Sequence, residues 1–279
     1  MTIRQAYLRA VGYLRAYSSD SPEFDAAQLV EAVTGVSRGR LPLEGQEDIT
    51  PTQWKKLRAL TDRRAQKYPL QYLLGQWDFY GLTFAVGEGV LIPRPDTEIL
   101  VETGLQLLAG IDHPVIYDLC SGSGCIAAAV ASQRPDAIVY AVEISADAFP
   151  YLLKNIRPFP GVKPVQADIF EVVPQLPSCH LILSNPPYLS DNEMDRLQTE
   201  VTYEPKLALR AGENGLAFYR RIAGAYREKL LPQGHIAFEV GYRQSGPVEG
   251  ILREKGWRNI EKAMDYNGIE RVVSASVQP

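Results

Sequence analysis

Residues that carry covalent or metal chemistry are scarce in this sequence. It has three cysteines and three histidines: Cys120, Cys125, Cys179, His113, His180 and His235. The cysteines form neither a paired disulfide framework nor a zinc-site spacing, and the sequence contains no recognisable nucleophile–histidine motif. We therefore expect a protein of the reducing cytoplasm whose chemistry uses no metal and no strong base.

Long apolar runs and an excess of basic residues are also missing. No run approaches the roughly 20 apolar residues of a membrane span. The net charge of the 279-residue chain is −4, so it has no overall basic field that would attract nucleic acid. Its composition, 46% hydrophobic and 22% charged, is that of a globular protein. We expect a large and a small domain, a monomer, and neither a membrane nor a direct nucleic-acid partner.

The N-terminal 75 residues have helical periodicity. Ser21 and Pro22 predict an N-cap and a first turn, and Gly35 predicts the end of that helix. Its inward face is predicted to contain Phe24, Ala27, Leu29, Val30 and Val33. Thr50 and Pro51 open a further helix, whose buried face is predicted to contain Trp54, Leu57 and Leu60. Together these helices predict a small bundle.

The first 19 residues allow two interpretations. They contain Arg4, Arg9 and Arg15 and no acidic residue, which is typical of a mitochondrial transit peptide. Their apolar residues also recur at helical spacing, and a bundle needs that apolar face to close. We favour a first helix of the folded protein.

The pattern changes twice after the bundle. Residues 76–92 combine aromatic residues with glycines, which predicts a β-hairpin linker. Strands then alternate with helices, and the strands are predicted at 114–119, 138–143, 163–166, 180–184, 235–240 and 269–275. This alternation predicts an α/β fold with a doubly wound parallel sheet, in which ligands bind at the carboxyl ends of the strands. The predicted domain divisions are 1–75, 76–92 and 93–279.

A glycine loop follows the first strand of that sheet. After Asp118 come Gly122 and Gly124, which allow a ligand close to the backbone at the N-terminus of the next helix. The following strand ends in Glu143, 19 residues after Gly124. A carboxylate there can accept hydrogen bonds from both hydroxyls of a ribose.

The same loop matches the dinucleotide-binding pattern G-x-G-x-x-A. A loop of this kind binds either a dinucleotide or S-adenosylmethionine, and charge distinguishes the two. Asp118 would repel the pyrophosphate of a dinucleotide but attract the ammonium and sulfonium groups of S-adenosylmethionine. We therefore expect S-adenosylmethionine, and the alternatives are a dinucleotide site and a purely structural loop.

The third strand is followed by Asp168, Ile169 and Phe170. Asp168 is a candidate acceptor for an adenine amino group, with either Ile169 or Phe170 against the ring. The alternative is an N-cap that opens a helix over 169–175.

The fourth strand ends in Asn185, Pro186, Pro187 and Tyr188. The prolines have no N–H and hold the chain extended, so the segment presents carbonyl acceptors. The Asn185 amide and the Tyr188 ring complete a cradle suited to a planar NH₂ group, either a side-chain amide or an exocyclic base amine. The alternative is a proline-rich turn.

Together these motifs resemble the protein-(glutamine-N5) methyltransferases that modify peptide chain release factors. The resemblance covers nearly the whole chain and rests on segments 69–75 (PLQYLLG), 90–98 (VLIPRPDTE), 118–127, 185–188 and 203–209 (YEPKLAL). It implies a helical substrate-recognition domain, a hairpin linker and a seven-stranded, Rossmann-like methyltransferase domain. It also implies methyl transfer from S-adenosylmethionine to the glutamine of the release factors' Gly-Gly-Gln motif.

The resemblance implies roles for particular residues. Asn185 and the Pro186 carbonyl would hold the glutamine amide, and Pro187 and Tyr188 would complete the catalytic segment. Cofactor contacts are implied for Asp118, Cys120, Ser121, Gly122, Ser123, Gly124, Glu143, Asp168, Ile169 and Asn185. Two positions depart from the commonest pattern, since relatives often have glycine at 120 and aspartate at 143. Ile169 lies where some relatives have tryptophan.

Three other functions stay open at this point. An N6-adenine nucleic-acid methyltransferase would use the same cradle, but it would need a basic surface that this acidic chain lacks. The second alternative, methylation of a glutamine in a ribosomal protein, differs from release factor methylation only in the protein substrate. The third is a protein that binds release factors but does not methylate them, and the intact Asn-Pro-Pro-Tyr segment argues against it.

Overall fold

The structure is a computed structural model that describes residues 1–17, 19–212 and 214–277. The chain divides into two units. The first, unit 1, contains Met1–Gln76 together with Gln198–Tyr203. The second, unit 2, contains the rest of the described chain.

Unit 1 is built from helices. They are α1 (Ile3–Ala16), α2 (Pro22–Thr34), α3 (Leu41–Glu44), α4 (Pro51–Ala65) and α5 (Leu70–Leu74), and a 3₁₀ turn covers Val201–Tyr203. Thr2 and Thr50 cap α1 and α4 through capping boxes, and Gly35 ends α2 at a φ of 78°. Helix α1 packs its apolar face into the unit, as the favoured interpretation of the first residues predicted.

The predicted inward face of α2 is partly wrong. Phe24 is 42% exposed and Val33 is half-buried, whereas Asp25 is only 3% exposed. Asp25 turns inward because it accepts hydrogen bonds from Arg64 Nε at 2.7 Å and Ser19 Oγ at 2.8 Å. Periodicity counts a buried carboxylate as a surface residue, so the predicted face was rotated. In α4, Leu57 is buried as predicted, but Trp54 and Leu60 are only half-buried.

A two-stranded sheet follows the helices. Its strands are β1 (Gln76–Phe79) and β2 (Leu82–Ala85). Tyr80 and Gly81 between them both have positive φ, 51° and 73°. Two such residues in sequence form the tight turn whose twist matches a β-hairpin.

The large sheet contains β3 (Val115–Leu119), β4 (Ile138–Glu143), β5 (Val162–Gln166), β6 (Cys179–Ser184), β7 (Leu230–Glu239), β8 (Arg258–Met264) and β9 (Glu270–Ser276). Their order is β5-β4-β3-β6-β7-β9-β8. The α/β class and the seven strands are confirmed. The neighbours from β5 to β7 are parallel, whereas β9 is antiparallel to both β7 and β8.

The prediction of a wholly parallel sheet is therefore wrong at one edge. Only a short turn joins β8 to β9, and a parallel connection would need a crossover of a dozen or more residues. The alternation pattern also missed β8. That edge strand is mostly exposed and rich in charged residues, so it lacks the apolar run of a central strand.

Helices cover both faces of the sheet. They are α6 (Glu98–Leu107), α7 (Cys125–Gln133), α8 (Phe149–Asn155), α9 (Asp191–Met194), α10 (Lys206–Leu209), α11 (Ala217–Ala225) and α12 (Ser245–Glu254), with 3₁₀ turns at Pro95–Thr97, Val173–Gln175 and Arg227–Lys229. Among the described residues, one buried cluster packs under α6 and α7 and another under α11 and α12. The strand order reverses between β3 and β6, so their carboxyl ends flank a crevice.

Candidate active site

A cavity of about 270 Å³ opens at the carboxyl ends of the parallel strands. This volume is near the lower end of small-molecule sites, which span about 300–1,000 Å³. Among the predicted site residues, the cavity is lined by Cys120, Ser121, Gly122, Ser123, Glu143, Asp168, Ile169, Asn185 and Pro187. Asp118, Gly124, Pro186 and Tyr188 do not line it.

The loop after β3 folds tightly against the next helix. Cys120, Gly122 and Gly124 have φ values of 64°, 54° and 79°. Gly124 is required twice, because its φ favours glycine and because a Cβ there would lie 3.1 Å from both Leu152 and Ile156. Cys120 is a non-glycine residue in the left-handed region, which is a strained conformation. This strain is a physical reason for the glycine that relatives often have at this position.

Asp118 lies beneath the loop. It is fully buried, and its Oδ2 accepts the Ala127 N–H at 3.1 Å. Its Oδ1 has no hydrogen-bond partner among the described residues. Burial, with a smaller contribution from Glu143, raises the pKa of Asp118 to about 7. A cation bound in the cavity would favour the ionised form of this carboxyl, so the electrostatics suit a positively charged ligand.

Glu143 lines the cavity at the end of β4. Its two carboxylate oxygens accept the N–H groups of Gly122 and Ser145, each at 2.7 Å. The residue is 7% exposed, and burial raises its pKa. Each oxygen keeps lone-pair capacity beyond these bonds. The carboxylate can therefore accept two hydroxyl groups while it holds the loop in place.

The segment after β5 forms a turn followed by the 3₁₀ turn at Val173–Gln175, and not the continuous helix over 169–175 of the alternative interpretation. The Asp168 Oδ1 accepts the Phe170 N–H at 2.8 Å, which is the local bond of an Asx turn. Ile169 is 5% exposed, and its carbonyl accepts the Tyr226 hydroxyl. Phe170 is half-buried, and the Arg221 guanidinium lies 3.5 Å from its ring centroid. Ile169 and Phe170 thus both border the cavity.

Asn185 follows β6 with its amide group already oriented. Its Nδ2 donates to Thr97 Oγ1 at 3.3 Å. Thr97 is 2% exposed and precedes α6, so the bond is shielded from water. With the NH₂ end directed to Thr97, the Asn185 oxygen is the atom left to accept a donor in the cavity.

Tyr188 is held by the segment that follows β7. Gln244 Nε2 donates to the Tyr188 carbonyl at 2.9 Å, and Gln244 Oε1 accepts the Gly241 N–H at 3.0 Å. A Cβ at Gly215 would lie 2.3 Å from the Tyr188 carbonyl oxygen. Close packing around these contacts fixes the position of Tyr188.

Sequence reasoning missed Glu239, the last residue of β7. It is 3% exposed, and its Oε2 has no hydrogen-bond partner among the described residues. Burial raises its pKa to about 7. A signal was available, because an acidic residue ends an apolar strand here as Asp118 and Glu143 do.

A second missed pair braces one wall of the cavity. Glu204 accepts the Ile92 N–H at 3.1 Å and forms an ion pair with Arg94. Ile92, Arg94 and the neighbouring Pro205 all line the cavity. These contacts join two of the sequence segments that carried the resemblance.

Comparisons with known proteins agree on a family. Residues 5–75 match the PrmC N-terminal domain, and residues 96–213 match the methyltransferase small domain. The chain is 36% identical to the release factor glutamine methyltransferase of Fusobacterium nucleatum over 96% of this chain and 77% of that protein. It is 37% identical to the one of Geobacter sulfurreducens over 99% of this chain and 97% of that protein.

Solved structures support the fold. The methyltransferase of Pyrococcus furiosus superposes with a TM-score of 0.52 at 16% identity, over 81% of this chain and 98% of that one. Given its similarity to the curated relatives, the chain belongs to the release factor glutamine methyltransferases. Within the described residues, no helix has the length and apolarity needed to cross a membrane.

Proposed function

We propose that this chain transfers a methyl group from S-adenosylmethionine to the side-chain amide nitrogen, N5, of a glutamine in peptide chain release factors. The target is the glutamine of their Gly-Gly-Gln motif. The observation that carries the proposal is the oriented amide of Asn185, whose NH₂ group is directed to Thr97 while its oxygen can accept a donor at the cavity. Membership of the family supplies the substrate class.

The residues around the cavity fit S-adenosylmethionine better than a dinucleotide. Glu143 can accept the two ribose hydroxyls, and Ile169 or Phe170 can pack on the adenine. Glu143 lines the cavity and Asp118 lies beneath its loop, and a bound sulfonium would favour the ionised form of both carboxyls, whereas a pyrophosphate would be repelled by them. When bound, this cofactor supplies an electrophilic methyl group.

The Asn-Pro-Pro-Tyr segment positions the nucleophile. An amide nitrogen is a weak nucleophile, because its lone pair is delocalised over the carbonyl. The Asn185 oxygen and the Pro186 carbonyl can each accept one N–H of the substrate amide, which aligns its nitrogen and stabilises the positive charge that it gains. Tyr188, which does not line the cavity itself, would pack on the substrate amide from beside the segment. The proton leaves to water after the transfer.

The remaining assignments follow from the family and the sequence. Segment 1–75 acts as the substrate-recognition domain, 76–92 as a hairpin linker and 93–279 as the methyltransferase domain. We further propose a cytoplasmic monomer that does not bind nucleic acid directly. The net charge of −4 supports the last point, because a nucleic-acid methyltransferase gains most of its affinity from basic residues.

Methylation with an isotopically labelled methyl donor tests the proposal. Purified release factor is incubated with the chain and labelled S-adenosylmethionine, and the modified peptide is mapped by mass spectrometry. We expect one methyl group on the Gly-Gly-Gln glutamine and none on a release factor whose glutamine is replaced by alanine. Parallel incubations contain DNA, RNA and ribosomal proteins. Label that enters one of these, and not release factor, would contradict the proposal.

A further inference from the structure

Glu239 and Asn185 leave neighbouring strands side by side. The register of β6 and β7 pairs Ser184 with Phe238, so the next residue on each strand is Asn185 and Glu239. Asn185 lines the cavity, whereas Glu239 lies behind it and is 3% exposed. Its Oε2 has no partner in the described chain. A buried acceptor of this kind costs free energy, so its retention next to the site calls for an explanation.

The groups that face the Glu239 carboxyl come from several elements. Thr97 and the Asn185 amide are its neutral neighbours, and hydrogen bonding from them lowers its pKa and so opposes the effect of burial. Asn185 Nδ2 also donates to Thr97 Oγ1 at 3.3 Å. The charged and titratable groups that interact with it electrostatically are Asp96, Arg271, Tyr188, Tyr219 and Cys125. The Glu239 carboxyl therefore interacts with Asn185 and Tyr188, the two ends of the Asn-Pro-Pro-Tyr segment, although it does not line the cavity.

We propose that Glu239 is a positioning residue that keeps the NH₂ group of Asn185 turned away from the cavity and its oxygen turned towards the substrate amide. The proposal rests on the proposed function. The two ends of an asparagine amide are nearly the same size, so only hydrogen-bond partners decide between its two orientations. An ionised carboxylate accepts and never donates, so it selects the NH₂ end. The reversed amide would oppose its own NH₂ group to the NH₂ group of the substrate.

This role depends on the ionisation of Glu239. Burial raises the pKa of Glu239 to about 7. Above that pH the group is a carboxylate and enforces the productive orientation. Below it the group is a carboxylic acid, whose O–H can donate to the Asn185 oxygen and favour the reversed orientation. The structure therefore predicts that kcat rises as the pH rises through about 7.

The decisive variant is Glu239→Gln, which keeps the size of the side chain and removes its charge. Its kcat is measured between about pH 6 and pH 8.5 with release factor as substrate, beside wild type and the exposed control Glu254→Gln. At the alkaline end we expect a kcat lower by on the order of 10-fold, with the Kd for S-adenosylmethionine and the KM for release factor changed by less than about 2-fold. The ratio of wild-type to variant kcat should fall towards one at the acidic end.

That ratio separates positioning from simple damage to the fold. Asp118 titrates in both proteins, so its contribution cancels. A kcat ratio that is the same at every pH, or a variant with wild-type kcat, would overturn the proposal. If Glu239→Gln does not fold, Glu239→Asp takes its place, because it keeps the charge but withdraws it by one methylene. For Glu239→Asp we expect a lower kcat that still decreases as the pH falls below about 7. A Glu239→Asp variant with wild-type kcat would contradict the positioning role of Glu239.

A second measurement needs no methyl acceptor. The side-chain NH₂ resonances of Asn185, assigned through their loss in Asn185→Asp, are followed by NMR across the same pH range. They should shift with a midpoint near the pKa of Glu239 in wild type and stay constant in Glu239→Gln. If wild type methylates no release factor, the proposed function fails, while this titration still decides the role of Glu239. Resonances that do not respond to pH in wild type would refute it.

Discussion

Buried charge is treated in opposite ways in the helices of unit 1 and at two strand ends of unit 2. In unit 1, Arg64 is 6% exposed, and its guanidinium bonds Asp25 at 2.7 Å and Glu200 at 2.8 Å. Burial lowers the pKa of Arg64, but the two carboxylates outweigh it and raise the pKa overall. In unit 2, Asp118 and Glu239 are buried, each with one oxygen that lacks a hydrogen-bond partner among the described residues.

The difference distinguishes structural charge from functional charge. In the Arg64 cluster each charge is paired with an opposite charge of the protein, so the cluster fixes the packing of helices and needs no ligand to compensate it. Carboxyls that are left partly unsatisfied at strand ends raise the free energy of the empty site, and a ligand or a reacting group can recover part of that cost. Burial alone would have ranked both clusters equally.

The sequence predicted what depends on local pattern. Asp118, Glu143, Asp168 and Asn185 each lie at or just after the end of a predicted strand, and parallel strands bring such ends to one edge. Their common edge was therefore predictable before any contact was known.

Features that depend on long-range contacts were not predictable. Asp25 faces inward where it forms an ion pair with Arg64, which is 39 residues away in the sequence. Thr97 bonds Asn185 across 88 residues, and nothing in either local pattern indicates that bond. The edge strand β8 depends on its pairing with β9 and not on its own composition.

Replacing the buried Arg64 of unit 1 by an uncharged residue is expected to have the largest effect on stability. Arg64→Met leaves the buried Asp25 and the partly buried Glu200 without their partner. Breaking a buried pair from one side costs about 3–5 kcal/mol, and we expect a loss of this size in the free energy of unfolding. Urea denaturation measures it, with the exposed Arg58→Met on the same helix as the matched control. Equal midpoints for the two variants would show that the cluster is not structural.

The converse change in unit 2 is expected to affect turnover and not stability. Asn185→Ala removes one of the two acceptors for the substrate amide. Loss of one preorganised hydrogen-bond partner costs about 10²–10³-fold in kcat, and we expect that loss here with a nearly unchanged Kd for S-adenosylmethionine. Single-turnover methylation of release factor measures the rate, and urea denaturation checks the fold. Turnover close to that of wild type would remove Asn185 from the mechanism.

A change at Glu143 should weaken cofactor binding. Each hydrogen bond to a charged group is worth about 1.5–3 kcal/mol, and Glu143→Ala removes the acceptor of both proposed ribose bonds. We expect a Kd for S-adenosylmethionine that is roughly 10–100-fold higher by calorimetry, because the loosened loop and solvent offset part of the loss. Glu143→Gln, which keeps one carbonyl acceptor, should lie between the alanine variant and wild type. If NAD binds wild type and S-adenosylmethionine does not, the dinucleotide interpretation is correct.

The smallest expected effect is a dependence of the free energy of unfolding on pH, caused by the buried carboxyls of Asp118 and Glu239. The folded state raises the pKa of Asp118 to about 7 and that of Glu239 to about 7, well above the roughly 4 of unfolded carboxyls. The folded protein therefore favours their protonated forms, and stability falls as the pH rises towards and through 7. Between pH 6 and pH 8 each group should cost about 1 kcal/mol in the free energy of unfolding.

Substitutions separate the two contributions. Asp118→Asn should remove about half of this loss, and the double variant with Glu239→Gln should remove nearly all of it. Urea denaturation at the two pH values measures the difference, with Glu254→Gln as the exposed control. The Arg64 cluster contributes little to this change, because its guanidinium stays charged throughout the range. A pH-dependent loss of undiminished size in the double variant would mean that other groups titrate in this range, and that Asp118 and Glu239 stay ionised across it as paired carboxylates do.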